Sequence, residues 1–63
     1  MSPFKVEIKN EEGEWEFGSY AFNMIELSNL VNAYSNKHIR VHWDGVLQLE
    51  SDANNNTIDF TVN

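Results

Sequence analysis

The feature that most constrains the fold of this chain is a strict alternation of apolar and polar residues in several short segments. In segment 4–9, apolar residues occupy every second position and charged residues lie between them. Successive residues of a strand face opposite sides, so this pattern predicts a strand with one buried and one exposed face. The alternation recurs in segments 14–17, 39–43 and 58–62. The chain therefore needs an element that covers one apolar sheet face.

A helix is predicted between the second and third of these segments. Asn23 is suited to cap the helix N-terminus, and Glu26 stands three positions later, as in a capping box. Phe22 before the cap and Leu27 within the helix are placed to form a hydrophobic staple. Apolar residues then recur at helical spacing, and we expect the helix to end near residues 35–36.

These elements, with a further strand before residue 51, predict a single α+β domain that spans residues 1–63 in the order ββαβββ. One helix packed on a mainly antiparallel sheet is the simplest way to cover a single apolar face. A chain this short buries only about 60% of its unfolded surface, so we expect a thin core. The four Phe, two Trp and two Tyr residues supply much of the area that such a core can bury.

The loop of the first hairpin decides which aromatic residues face the core. A four-residue loop over 10–13 pairs Ile8 with Trp15 and Val6 with Phe17. In that register all four apolar side chains lie on one face of the sheet. We therefore expect Trp15 and Phe17 to be core residues.

The second hairpin turns at an Asp-Gly pair, residues 44–45, and two registers are open for it. A two-residue turn leaves Leu47 and Leu49 on the face opposite Val41. A three-residue loop that begins at Trp43 instead places both leucines on the same face as Val41. We prefer the three-residue loop for this reason, and it leaves Trp43 in a turn.

The chain carries few residues that indicate catalysis or metal binding. It has no cysteine, which excludes a disulfide and a thiolate metal site. His38 and His42 are four positions apart, which on a strand spans about 13 Å and is too far for one metal ion. No phosphate-binding loop or nucleophile elbow is present. We expect no enzyme activity, no metal and no cofactor.

The charge of the chain indicates the class of partner. Ten acidic residues against four basic ones give a net charge of −6. This charge disfavours direct binding to nucleic acid or to an anionic membrane and favours a protein with a basic surface. No apolar run approaches the roughly 20 residues that span a bilayer, and no signal peptide is recognisable. We expect a complete, cytoplasmic protein.

The acidic residues concentrate on the first hairpin. Five of the ten fall within ten positions: Glu7, Glu11, Glu12, Glu14 and Glu16. In the predicted register Glu7 and Glu16 are cross-strand partners, and like charges placed there are destabilising. Alternate strand residues repeat at roughly 6.5–7 Å, so the hairpin could imitate a short run of phosphates. It would then suit the basic groove of a DNA-binding protein. The alternative is an ordinary solvated face.

Trp43 is the candidate anchor for an interface, because the preferred register places it where core packing does not explain it. Asp44 beside it and Tyr20 at the end of the second strand complete the predicted contact residues. The alternative for Trp43 is that it caps one end of the core.

The order of elements also carries a resemblance. Its parts are one short helix, a closing hairpin at Asp44-Gly45, and a first hairpin that reads Glu11-Glu12-Gly13-Glu14 followed by Trp15-Glu16-Phe17. In this order, over residues 4–50, the chain resembles the small acidic host-takeover proteins of bacteriophages. These include inhibitors of uracil-DNA glycosylase and of bacterial RNA polymerase. The resemblance implies an inhibitor of a nucleic-acid enzyme and transfers no individual site residue.

The sequence thus predicts a small acidic binding protein that docks on a basic surface of a nucleic-acid-processing or DNA-binding host protein. An inhibitor or modulator of the phage type fits this prediction. The alternative is a structural or assembly module that acts as a homo-oligomer, such as a homodimer joined through sheet edges or faces.

Overall fold

A computed structural model describes residues 3–54 and the backbone of residues 57–60. The elements follow the predicted order: β1 (Phe4–Lys9), β2 (Trp15–Ala21), α1 (Met24–Ala33), β3 (Ile39–Trp43), β4 (Val46–Ser51) and β5 (Thr57–Phe60). The strands form one sheet in the order β2-β1-β3-β4-β5, and each neighbouring pair is antiparallel. The predicted α+β fold with one helix on an antiparallel sheet is confirmed. Residues 61 and 62, which were expected to continue the last strand, lie outside the described residues.

The core lies between α1 and one face of the sheet. Its fully buried members are Val6 on β1, Ala21 on β2, and Ile39 and Val41 on β3. Partly buried residues pack around them: Phe4, Ile8, Leu27, Leu30, Val31, Tyr34 and Leu49. No residue of α1 is fully buried, so the core is as thin as the chain length predicts.

The start of α1 follows the prediction closely. The Asn23 side-chain oxygen accepts a hydrogen bond from the Glu26 N–H at 2.8 Å. The Glu26 carboxylate accepts a bond from the Phe22 N–H at 2.9 Å, one residue before the position that a capping box uses. The predicted staple with Leu27 does not bury Phe22, which remains 67% exposed. The helix ends at Ala33, slightly earlier than expected.

The predicted register of the first hairpin is wrong by one residue. Trp15 pairs with Lys9 and Phe17 with Glu7, because the loop contains five residues instead of four. Asn10 closes this loop: its backbone N–H donates to the Glu14 carbonyl at 2.8 Å. Its side-chain oxygen also accepts from backbone N–H groups inside the loop.

The changed register moves two aromatic residues out of the core. Trp15 and Phe17 lie on the outer face of the sheet, away from α1, and Phe17 is 56% exposed. A bulge at Gly18 then shifts the register again, so that Ala21 pairs with Phe4 and is fully buried. A Cβ at Gly18 would lie 2.9 Å from the Val6 carbonyl oxygen, so the close approach of the two strands requires glycine there.

The second hairpin has a two-residue turn, so the predicted three-residue loop is wrong. Trp43 pairs with Val46, and Asp44 and Gly45 form the loop with φ values of 53° and 78°. Two positive φ values are those of a type I′ turn, whose twist suits a tight hairpin. Trp43 is therefore the last residue of β3 and does not lie in the loop.

A bulge in β4 places Leu47 and Leu49 on opposite faces of the sheet. Leu47 pairs with His42 on the outer face, whereas Leu49 pairs with Val41 on the core face. The register shifts between these two pairs, so Gln48 is the extra residue on β4. The premise that both leucines must share one face was wrong.

Candidate functional site

The predicted contact residues do not form one continuous surface. Four of them lie at the β1–β2 loop, and we call this group the acidic tip: Glu11, Glu12, Glu14 and Glu16. Trp43, Asp44 and Tyr20 lie toward the opposite end of the sheet, because Trp43 pairs with Phe4 at the start of β1. The six residues of β1 separate the two ends, which corresponds to about 17 Å.

The acidic tip presents its carboxylates to solvent. All four side chains are exposed, and the loop that carries three of them is held by the hydrogen bonds of Asn10. The Asn10 side-chain amide also donates to the Glu16 carboxylate at 3.3 Å. Within the described residues, no Lys, Arg or His nitrogen lies within 4 Å of these carboxylates. The tip therefore concentrates four exposed carboxylates that form no salt bridge within the described residues.

Glu7 does not belong to this acidic surface, and the predicted pairing of Glu7 with Glu16 is wrong. Glu7 lies opposite Arg40 on the outer face, and its carboxylate accepts a hydrogen bond from the Arg40 Nε at 2.8 Å. The His42 Nδ1 lies 3.5 Å and the Lys5 Nζ 3.9 Å from the same carboxylate. Only 14% of the Glu7 side chain is exposed, so its carboxylate acts as a counter-ion for these neighbouring basic side chains.

Two opposing effects set the ionisation of Glu7. Burial disfavours its charged form, but the hydrogen bond and charge of Arg40, together with the charges of Lys5 and His42, outweigh it. The net result holds the pKa of Glu7 below its ordinary value of 4.5. The carboxylate is therefore ionised at neutral pH and holds the Arg40 and Lys5 side chains beside it.

Trp15 extends this arrangement into an outer-face cluster. The Arg40 guanidinium lies 4.3 Å and the Lys9 ammonium 5.7 Å from the Trp15 ring centroid. The His38 ring meets the Trp15 ring edge-on at 5.3 Å, and its Nε2 lies 2.8 Å from the Glu50 carboxylate. We use the name outer-face cluster for these residues: Lys5, Glu7, Lys9, Trp15, His38, Arg40, His42 and Glu50.

Most of the basic side chains lie in the outer-face cluster, whereas the acidic tip carries four glutamates. Three of the chain's four Lys and Arg residues belong to the cluster, where they meet acidic or aromatic partners. The sequence pattern predicted Trp15 as a core residue, but the five-residue loop places it beside Arg40 on the outer face. Lys5, Lys9 and Arg40 therefore have partners on the outer face, whereas the four tip carboxylates have no described cation within 4 Å.

Trp43 lies at one end of the core, as the alternative prediction for it expected, and its ring remains partly exposed. Its ring centroid lies 6.3 Å from that of Phe4 at the end of the core, and 39% of the residue is exposed. It forms one wall of an apolar groove of about 530 Å³ between α1 and the β3–β4 hairpin. Leu27, Val31 and Leu49 are among the other lining residues. Trp43 thus offers apolar contact area, but on a surface distant from the acidic tip.

Tyr20 and Asp44 lie together on the outer face. They line a shallow polar depression of about 540 Å³ that also includes Glu7 and His42. Tyr20 is 49% exposed and its ring lies 5.0 Å from that of Phe17. These residues therefore form a second polar surface near the Asp44 turn, separate from the tip.

The described residues show no arrangement of three or more His, Cys, Asp or Glu side chains that could hold a metal ion. The described part of the chain contains no helix that is long and apolar enough to cross a membrane. His38 and His42 contact different carboxylates, those of Glu50 and Glu7.

Comparison with known proteins returned nothing similar: no family model, no curated protein and no solved structure matches this chain.

Proposed function

We propose that this protein is a small non-enzymatic binding protein whose acidic tip docks on a basic surface of another protein. One observation carries the proposal: four exposed carboxylates share one end of the sheet without a described cation within 4 Å. By contrast, Glu7 and Glu50 on the outer face are both paired. A localised negative surface attracts a basic one and raises the rate of encounter.

The partner class follows from this charge. Proteins that bind nucleic acid carry Lys- and Arg-rich grooves, and such a groove is complementary to the tip. The proposal is therefore an inhibitor or modulator of a nucleic-acid-processing or DNA-binding protein, of the phage type and acting in the cytoplasm, without direct contact to nucleic acid. The mimicry is restricted to the tip, because Glu7 lies on the outer face and cannot extend the row of charges.

In this proposal Trp43 makes a second contact with the partner, separate from that of the acidic tip. A standard interface buries about 800 Å² on each partner, which is roughly 32 Å across, so a large partner can reach both ends of the sheet. Charge at the tip would then govern the rate of encounter, and apolar contact at Trp43 would govern the lifetime of the complex.

Affinity capture with matched variants tests the proposal. The protein is immobilised and exposed to a bacterial extract at roughly 50 mM and roughly 500 mM salt, because screening weakens exposed charge pairs. Glu11→Gln/Glu12→Gln removes two charges from the tip. Ala53→Lys/Asn54→Lys is the charge control: it changes the net charge equally at exposed positions that follow β4, across the sheet from β2 and outside the Trp43 groove.

We expect one dominant basic nucleic-acid-binding protein, identified by mass spectrometry, that is captured at low salt only. The tip variant should lose it, and the charge-control variant should retain it. Equal losses in both variants would show that only net charge matters, and capture that is indifferent to salt would contradict the proposal.

A homo-oligomeric assembly module is the second candidate, and one observation favours it. Phe22, Met24 and Ile25 at the start of α1 are 67%, 66% and 75% exposed. Neighbouring apolar residues of this kind are typical of an interface. This candidate predicts a melting temperature that rises with protein concentration, whereas the binding-protein proposal predicts a concentration-independent value.

A further inference from the structure

We infer that the free edge of β2 receives an extended, basic segment of the partner as an additional strand of the sheet. This inference rests on the proposed function, since it specifies which kind of segment the partner supplies and how that segment is held. Three properties of the edge carry it: its open backbone, its charge, and a side-chain notch beside it.

The backbone of β2 is available for strand pairing. β2 stands at the end of the strand order, with β1 on one side and no described strand on the other. An edge strand directs alternate N–H and C=O groups away from the sheet, ready to pair with another chain. The seven residues Trp15–Ala21 contain neither Pro nor Lys, the residues that commonly protect such an edge.

The charge around this edge selects a basic occupant. No Lys or Arg occurs between Lys9 and Lys37, whereas this stretch carries five Glu residues. Glu14 and Glu16 lie at the start of β2, and Glu26 lies just beyond its end. A second copy of this chain would bring its own acidic β2 to the same edge, and like charges in a strand pair are destabilising. A Lys- or Arg-containing segment instead has complementary charge for both ends of the edge.

A notch at the end of β2 suits a basic side chain. It has a volume of about 370 Å³ and is lined by Tyr20, Phe22, Glu26, Asn29 and Leu30. Its apolar walls fit the methylene stem of Lys or Arg, and the Glu26 carboxylate fits the charged head group. This carboxylate already accepts the Phe22 N–H at 2.9 Å, which fixes its position.

The two faces of β2 predict the pattern of the bound segment. Glu16, Ser19 and Ala21 face α1, whereas Phe17 and Tyr20 form an exposed aromatic pair on the outer face, with ring centroids 5.0 Å apart. Side chains of an added strand alternate between these faces. Basic residues should therefore alternate with apolar residues, with the basic ones on the helix side and the apolar ones against the aromatic pair.

A defined peptide tests the inference. The probe is acetyl-Lys-Val-Lys-Val-Lys-Val-Lys-amide, titrated at low salt into the ¹⁵N-labelled protein and followed by amide NMR shifts and hydrogen exchange. We expect shift changes centred on residues 15–21 and slower exchange of the β2 amides that point away from β1. Two modified peptides carry N-methyl groups on backbone amide nitrogens. In one peptide the amide of every Val is methylated, and in the other the amide of every Lys is methylated.

A paired strand uses only one edge of the peptide, so one methylation pattern should weaken binding on the order of tenfold more than the other. Equal effects of the two patterns would overturn strand pairing, and so would shifts confined to residues 11–14. In both cases salt-dependent capture through the acidic tip could still succeed, so the proposed function would stand by itself. Shifts that depend on protein concentration without peptide would show that a second copy occupies the edge, and would also overturn the inference.

Discussion

Arg40→Met is the substitution that most sharply tests the role of the outer-face cluster. Arg40 donates to Glu7 at 2.8 Å and covers the ring of Trp15 at 4.3 Å, with 29% of its side chain exposed. Methionine keeps an unbranched apolar stem of similar length and removes only the guanidinium. The variant therefore isolates the charged interactions from the packing of the stem.

The magnitude follows from the two lost interactions. A hydrogen bond to a charged group contributes about 1.5–3 kcal/mol, and a partly exposed cation–π contact contributes about 0.5–1 kcal/mol. Lys5 and His42 remain within 4 Å of the Glu7 carboxylate, so part of the charge compensation survives. We expect Arg40→Met to lower the free energy of unfolding by about 2 kcal/mol. A domain of this length is stabilised by only roughly 3–9 kcal/mol in total.

Chemical and thermal denaturation measure this effect. A loss of about 2 kcal/mol corresponds to a decrease in Tm of roughly 8–16 °C for a small domain. Lys37→Met is the matched control, because Lys37 is exposed and makes no salt bridge within the described residues. Arg40→Lys should give an intermediate loss, since a lysine keeps the charge but not the planar fork. An Arg40→Met variant as stable as Lys37→Met would refute the reasoning.

Three further predictions concern acid stability, the β2 bulge and the helix cap. The pKa of Glu7 is held below 4.5, so its ionised form stabilises the fold above that pH, and this contribution disappears as the pH falls through the lowered value. Glu7→Gln should therefore be less stable than wild type at pH 7 in urea denaturation, with a difference that shrinks toward acid pH; a constant difference would contradict the prediction. Gly18→Ala places a Cβ 2.9 Å from the Val6 carbonyl oxygen and should cost about 1–3 kcal/mol in the same assay, whereas an unchanged midpoint would show that the strands can separate freely. Asn23→Ala removes the 2.8 Å cap to the Glu26 N–H and should cost about 1 kcal/mol, with Asn23→Asp as the variant expected to retain stability.

The elements of the fold could be predicted from the sequence because each depends on a local pattern. Alternation located the strands, and the cap at Asn23 located the start of α1. Register could not be predicted in the same way, since it depends on the competition between loops. The side chain of Asn10 stabilises a five-residue loop, and the bulge at Gly18 then returns Ala21 to the core.

The candidate site was predicted only in part, for the same reason. The concentration of acids on the first hairpin is visible in the sequence, but the pairing of β1 with β3 places Glu7 beside Arg40, and the one-residue shift of the hairpin places Trp15 beside the basic side chains. Similarly, the tight Asp-Gly turn keeps Trp43 within β3 at the far end of the sheet. Neither consequence follows from pattern alone, because a single slip exchanges the two faces of a strand.

The rate of association with the captured partner, measured by stopped-flow fluorescence as a function of ionic strength, tests the central claim most directly. The account predicts that the association rate constant of the wild-type protein falls at least about tenfold between roughly 20 mM and 200 mM salt. In Glu11→Gln/Glu12→Gln this dependence should be much weaker, with little change in the dissociation rate constant. An association rate constant that is insensitive to salt, or equally sensitive in both proteins, would contradict docking through the acidic tip.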